Sequence, residues 1–241
     1  MDLKELENGV NPDVHWYYQS KKLPLLRAAQ RALASGKPLT VVDIGSGSGF
    51  FALELEKKYG AQIAKVYLVD TGYSEEEMAP TRGTKIEKVY AIPARIENGL
   101  VVLMDVLEHL ESDLAMLQSV KAACVGDNNS FFITVPAFQS LWSGHDVFLG
   151  HYRRYQIPML RDVLRQAGFR KINNYYLYGA LFPLVWSMRK LSNLRKKEAA
   201  SNMRPLNALV NRMLLALNAL EMKISSANKF FGVSCVGEGK I

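Results

Sequence analysis

The segment LTVVDIGSGSGF, residues 39–50, constrains this chain more than any other. An apolar run ends in an acid and a glycine, three glycines alternate with serines, and FFALELEKKYG then follows at helical spacing. Such a run reads as a strand buried on both faces, and a glycine-rich turn joining it to a helix opens a βαβ unit. Gly45, Gly47 and Gly49 let the backbone turn sharply and let a ligand approach closely, while the helix beyond presents unpaired N–H groups. A second short strand, KVYLVD, ends in Asp70, 21 positions beyond Gly49. A carboxylate at that place is suited to bind both hydroxyls of a ribose.

The rhythm continues along the chain. A helix is expected after Tyr17, stopping near Gly36; weak strand character falls near Lys88–Ile92, and LVVLMD is a strong strand. ESDLAMLQSVKAAC reads as a helix, NNSFFITVP as a strand, PMLRDVLRQAGF as a helix and KINNYYLY as strand-like. The expected fold is α/β: a doubly wound, seven-stranded, mostly parallel sheet in one domain spanning 1–241. Residues 1–36 form an N-terminal helical cap, and 179–227 a helical insert before a last strand at GVSCVGEG. With 49% apolar residues the chain can fill such a core. The two cysteines, Cys124 and Cys235, lie too far apart for a CxxC site, so a cytoplasmic, reducing setting is expected. The polar, acidic start MDLKELENGV does not read as a signal peptide.

The glycine turn with Asp70 suits a dinucleotide or another adenosine-bearing cofactor. Asp43, two residues ahead of the first glycine, counts against NAD or FAD: a buried anion gains nothing beside a pyrophosphate but suits a cofactor carrying an ammonium group. The turn also lacks the GK[ST] ending of a nucleoside triphosphate site.

DIGSGSG, Asp70 and MDVLEHLESD together resemble the cofactor motifs of class I S-adenosylmethionine-dependent methyltransferases, small-molecule members with a DVLEH segment above all. The resemblance runs from Val41 to Phe169 and implies a Rossmann-like methyltransferase fold with S-adenosylmethionine as cofactor. By that resemblance Gly45, Ser46, Gly47 and Gly49 wrap the amino-acid portion of the cofactor above Asp43. Asp70 holds the ribose, and Asp105 and Val106 lie beside the cofactor. The acid that often approaches the adenine has no clear counterpart, since Ala94 and Arg95 occupy that region. HWYY, residues 15–18, is similar to a His-Trp-aromatic start found in a subset of these enzymes, where it covers the cofactor pocket; His15 and Tyr18 are therefore cofactor candidates.

PAFQSLWSGHDVFLGHYRRY, residues 136–155, resembles the same subset and follows the fifth major strand, on the crevice side of a doubly wound sheet. Phe138, Trp142 and Phe148 are candidates to line an apolar acceptor pocket. His145 and His151 are candidate proton acceptors, and Arg153 and Arg154 candidate holders of an acid or phosphate. A salt-bridged cap in which Asp146 pairs with an arginine is the competing reading. His109 is a third candidate base. Asp105, Glu108 and His109 share i, i+3, i+4 spacing and resemble an acid-x-x-Glu-His cluster that holds a divalent metal in certain ring-hydroxyl methyltransferases. Methyl transfer needs no metal, Asp105 departs from the glutamate of that cluster, and none is assigned.

Charge is unevenly divided. Residues 1–149 carry 14 basic and 19 acidic side chains, whereas residues 150–241 carry 16 and 4. Leu206, Leu209, Val210, Met213, Leu214, Leu217 and Leu220 repeat at helical spacing in the basic part, with Asn207, Asn211, Asn218 and Glu221 between them. Arg189, Lys190, Arg195, Lys196, Lys197 and Arg204 lie just upstream. Such a helix covers an apolar pocket, pairs with a second subunit as a homodimer, or lies on an anionic membrane surface. No run reaches the roughly 20 apolar residues that span a bilayer. Nucleic acid is not expected: no zinc spacing or recognition helix is present, and the fifth strand ends TVPAF, without the tetrad of base N-methyltransferases.

These readings converge on transfer of a methyl group, by in-line displacement, to a small acceptor that is hydrophobic or lipid-linked with an anionic part. A non-catalytic interaction protein on the same fold, or an NAD(P)-dependent oxidoreductase, would share parts of the pattern but differ in what they bind.

Overall fold

The computed structural model describes residues 9–194 and 205–241. Helix α1 (Trp16–Leu33) leads into β1 (Leu39–Ile44), α2 (Phe50–Tyr59) and β2 (Ile63–Val69). A one-turn α3 (Glu75–Met78) precedes β3 (Ile86–Val89), a two-residue β4 (Ile96–Glu97) and β5 (Gly99–Met104). Then come α4 (Asp113–Ala123), a two-residue β6 (Cys124–Val125), β7 (Ser130–Pro136), the short α5 (Gly144–Leu149) and α6 (Ile157–Gln166). The chain closes with β8 (Arg170–Leu177), α7 (Phe182–Leu194), α8 (Ala208–Ile224) and β9 (Ser234–Lys240).

The main sheet has seven strands in the order β3-β2-β1-β5-β7-β9-β8. All neighbours run parallel except that β9 is antiparallel to both β7 and β8. The order reverses between β1 and β5, so the C-terminal ends of these two strands open a crevice. The weak strand expected near Lys88–Ile92 begins earlier, at Ile86, and forms the sheet's edge; its side chains are only partly buried, which explains its faint apolar signal.

Period-2 alternation feeds two cores. Val42, Ile44, Val101 and Leu103 face Leu117, Val120, Leu160 and Leu164 of α4 and α6. Val41, Leu100 and Val102 face Leu25 and Ala29 of α1 and Leu55 of α2. Every residue of β5 is buried, as its unbroken apolar run requires. Burying each large aliphatic side chain contributes about 1.5–3 kcal/mol, and these two layers hold the crevice-forming loops in register.

The helical segment before the last strand is oriented opposite to what its leucine stripe would suggest for a core helix. Asn211 of α8 accepts the Trp16 N–H and donates to the Val14 carbonyl. Asn218 is buried, and Glu221 accepts the N–H groups of Gly179 and Ala180. The polar positions therefore dock this helix, with help from Leu214 and Met222. Leu206, Leu209, Val210, Met213, Leu217, Leu220 and Ile224 instead face solvent. Arg195, Lys196, Lys197 and Arg204 lie outside the described residues, as do the first eight residues of the N-terminal cap.

Candidate functional site

At the C-terminal end of β1 the chain lifts off the sheet through three glycines with positive φ: 67° at Gly45, 52° at Gly47 and 77° at Gly49, the residue that caps the start of α2. A side chain at Gly45 would bring its Cβ within 2.6 Å of Val106 Cγ2, and one at Gly49 within 2.9 Å of Leu68 Cδ1. Gly45 and Val106 thus come from the ends of β1 and β5, the two strands flanking the order reversal, and their contact sets the floor of the crevice. Asp43 is buried on β1, in register with Leu68 on one side and Val102 on the other.

Asp70 faces this turn. Its Oδ2 accepts the Gly47 N–H at 2.8 Å and its Oδ1 the Gly72 N–H at 2.9 Å. A carboxylate offers about four lone-pair directions, so two acceptor positions are left for ribose hydroxyls, and the residue fits an adenosine-bearing group. The turn is braced from beneath by Tyr73, whose hydroxyl donates to the Gly47 carbonyl at 2.7 Å and lies 2.9 Å from Ser46 Oγ. Ser46 also reaches the Val69 carbonyl, which makes it a buried brace of the turn.

Asp105 ends β5 in a left-handed conformation, with φ of 57°. Its Oδ1 accepts from Thr134 at 2.9 Å, and its Oδ2 accepts from the Tyr17 hydroxyl at 3.0 Å and from the ammonium of Lys21. Lys21 also donates to Tyr17 Oη at 2.7 Å and is fully buried. Burial alone would raise the Asp105 pKa, but the Lys21 charge and these hydrogen bonds hold it below the usual carboxylate range. The sequence reading assigned Lys21 no role; its i, i+4 spacing from Tyr17 on an otherwise apolar helix face was the available signal.

The aromatic start packs as a plate over this corner. Tyr17 stacks on Tyr178 at 5.8 Å between ring centroids, and Trp16 meets the same ring edge-on at 5.7 Å. His15 precedes the first turn of α1 and is buried. Tyr18 is buried against Phe50 and Phe51 at the start of α2, so the segment covers the helix that follows the glycine turn.

The loop after β7 is pinned at its base, where Tyr155 donates its N–H to the Pro136 carbonyl and accepts that of Phe138. Its hub is Asp146. That fully buried carboxylate accepts the Ser143 N–H at 2.9 Å, Arg154 Nε at 2.7 Å, His151 Nδ1 at 3.0 Å and Arg189 at 3.2 Å. The opposing charges and hydrogen bonds hold its pKa far below the ordinary value despite burial. Arg154 is buried and also donates to the Ala137 carbonyl, so both its polar directions go to the protein. Arg153 pairs with Asp113 at 3.2 Å and donates to the Glu111 carbonyl. Phe138 stacks on Tyr176 at 4.9 Å, Trp142 is partly buried, and Phe148 faces outward.

His109 and His151 meet ring to ring at 4.6 Å beside the buried Glu108. Burial lowers the His109 pKa to about 4, aided by His151; burial and Arg189 lower that of His145 likewise to about 4. Both imidazoles are neutral at pH 7 and are weak proton acceptors.

Residues 15–174 match the model of a methyltransferase domain. No curated protein matches the sequence. Among solved structures, a COG1565 superfamily member from Burkholderia thailandensis, bound to S-adenosylhomocysteine, superposes with a TM-score of 0.53 at 16% identity; 94% of this chain and 77% of that one are covered. A chain from the Haloferax volcanii complex between the Trm112 methyltransferase activator and a methyltransferase gives 0.53 at 16% identity, covering 99% and 94%. A Galdieria sulphuraria protein assigned as a sarcosine dimethylglycine methyltransferase gives 0.52 at 12%, covering 88% and 82%. With the model matched over this strand order and its glycine turn, the chain belongs to the methyltransferase-domain family, as a class I enzyme whose cofactor is S-adenosylmethionine.

Proposed function

We propose that this enzyme methylates a small hydrophobic or lipid-linked acceptor presented at an anionic membrane surface. The observation that carries this reading is the set of large apolar side chains that α7 and α8 leave exposed. Leu184, Trp186, Met188 and Leu191 of α7 are exposed alongside the stripe on α8, and Phe230 and Phe231 extend the same set. Helix α7 is tied to the Asp146 hub through Arg189, while α8 is tied to the aromatic plate through Asn211 and Trp16. An apolar acceptor leaving a bilayer along this face would therefore arrive beside both walls of the site. No helix among the described residues is long and apolar enough to cross a membrane.

Arg153 and Arg154 serve Asp113 and Asp146, so the anionic part of the acceptor falls to exposed cations bordering the apolar face: Lys190, Arg212 and Lys223. S-adenosylmethionine, when bound, supplies an activated methyl group on a sulfonium. The chain's own residues bind and align. Asp70 holds the ribose, the glycine turn admits the amino-acid portion, and Asp105, fixed by Lys21, Tyr17 and Thr134, forms the wall at the end of β5. Trp16, Tyr17 and Tyr178 exclude water above that wall. With His109 and His145 held as weak bases, alignment and water exclusion supply most of the rate, a term worth up to about 7–11 kcal/mol.

Calorimetric titration with S-adenosylmethionine and S-adenosylhomocysteine, with NADH as control, tests the cofactor. Incubation with labelled cofactor and a membrane lipid extract tests the acceptor: label is expected in the organic phase. Label confined to water-soluble products would overturn the lipid reading, and NADH binding in place of the other two would overturn the reaction class.

A further inference from the structure

We infer that Glu108, His109 and His151 form a binding site for a divalent transition metal of the zinc type, distinct from the cofactor turn. One donor atom from each of the three lies within 4.8 Å of the others. Four tetrahedral ligands at about 2.1 Å from a zinc ion stand about 3.4 Å apart, so small side-chain rotations close this set around an ion.

Two observations single out this cluster. Both carboxyl oxygens of Glu108 are buried and have no hydrogen-bond partner among the described residues, and His151 Nε2 is in the same condition. A buried carboxyl without a partner is costly, and native proteins leave few of them; here three unpartnered atoms come from two residues that face one another. An ion between them would satisfy all three.

The second observation is the outer support. Asp146 accepts from His151 Nδ1, which leaves Nε2 as the ring atom on the side of Glu108. The His109 ring donates to the Leu149 carbonyl. Each imidazole is thus oriented by a carboxylate or carbonyl behind it, the arrangement that fixes the tautomer and ring plane of metal-ligating histidines. Tyr152 adds a third restraint by donating its N–H to the Glu108 carbonyl at 2.7 Å, which locks the two ligand segments together.

Asp105 is not part of the set. Its oxygens are committed to Lys21, Tyr17 and Thr134, so the ligand that completes the pair at positions 108 and 109 comes from the loop after β7, 42 residues beyond His109. Two imidazoles and one carboxylate leave a fourth position for water or an acceptor oxygen. The metal site stands on this geometry alone and does not depend on the acceptor proposed above.

The test uses the full chain stripped of metal, titrated with Zn²⁺ in a calorimeter and with Co²⁺ by visible absorption. One ion per chain is expected, with a Co²⁺ band typical of four-coordinate N/O ligation. E108Q and H151Q, each checked for cooperative melting in metal-free buffer, should bind Zn²⁺ at least 10-fold more weakly. Failure of the wild type to bind saturably overturns the assignment, as does wild-type affinity in either folded variant. S-adenosylhomocysteine titrated in the same preparation reports the cofactor reading separately.

Discussion

The ammonium of Lys21, in the second turn of α1, donates to the carboxylate of Asp105 at the end of β5, 84 residues later; Lys21 is wholly closed off from solvent and Asp105 mostly so. Neither charge is readily left alone there. Breaking a buried pair by removing one partner costs about 3–5 kcal/mol. K21M should therefore destabilise the protein by about 3 kcal/mol in urea titrations, and K21M/D105N should recover part of that loss.

The same pair has a pH signature. Asp105 has a folded pKa below its unfolded value, so its contribution is complete above the ordinary carboxylate pKa of about 4 and is lost as pH falls through the folded value. His145 acts at higher pH: its folded pKa of about 4 lies below the ordinary 6.5, so the unfolded state binds the extra proton and stability falls as pH drops from 6.5 toward 4. His109, lowered to about 4 as well, acts in the same window, so H145Q should reduce the slope of the upper part of this acid limb by about half and leave the lower part in place, as read by melting temperature against pH.

Gly45 carries two constraints at once, a φ of 67° and a neighbour that a Cβ would strike. G45A should cost about 1–3 kcal/mol and weaken S-adenosylhomocysteine binding. Because a Cβ at this position would strike the Val106 side chain, V106A in the same chain should relieve the packing share but not the backbone share. A double-mutant cycle separates the two.

Replacing Asp70 by Asn keeps an acceptor for one loop N–H but removes the charge that strengthens every bond the carboxylate makes. Hydrogen bonds to charged groups are worth about 1.5–3 kcal/mol, so D70N should lower S-adenosylhomocysteine affinity by about 10- to 100-fold in calorimetry.

Leu209, Met213 and Leu220 are each more than 60% exposed. Changing all three to Glu should leave the melting temperature within a few degrees while abolishing sedimentation with anionic vesicles. If the variant instead converts a dimer to a monomer in light scattering and vesicle binding is absent in both forms, the face pairs two subunits.

Much of this was legible in the sequence because the signals were local. The β1–turn–α2 unit, the acid closing β2 and the alternation of strands and helices each occupy one short window, and the sheet follows from them. What escaped was carried by partners distant in sequence. Lys21 finds Asp105, Tyr73 props Ser46 and Gly47, and His151 faces Glu108, and none of these pairs leaves a spacing to read. Helix α8 shows a different limit. Its period was plain, yet periodicity reports only that two faces differ; Asn211, Asn218 and Glu221 decide which of them turns inward.

The place of β9 in the sheet has a consequence for how the chain is made. It lies between β7 and β8, both of which leave the ribosome earlier. A nascent chain that has emerged through α8 can assemble β3-β2-β1-β5-β7, but it exposes the open edge of β7 and holds β8 with no strand to join. Synthesis of residues 234–240 then fills both vacancies in one insertion. During that interval the apolar side chains of β7 and β8 are the segment of the molecule most in need of a chaperone.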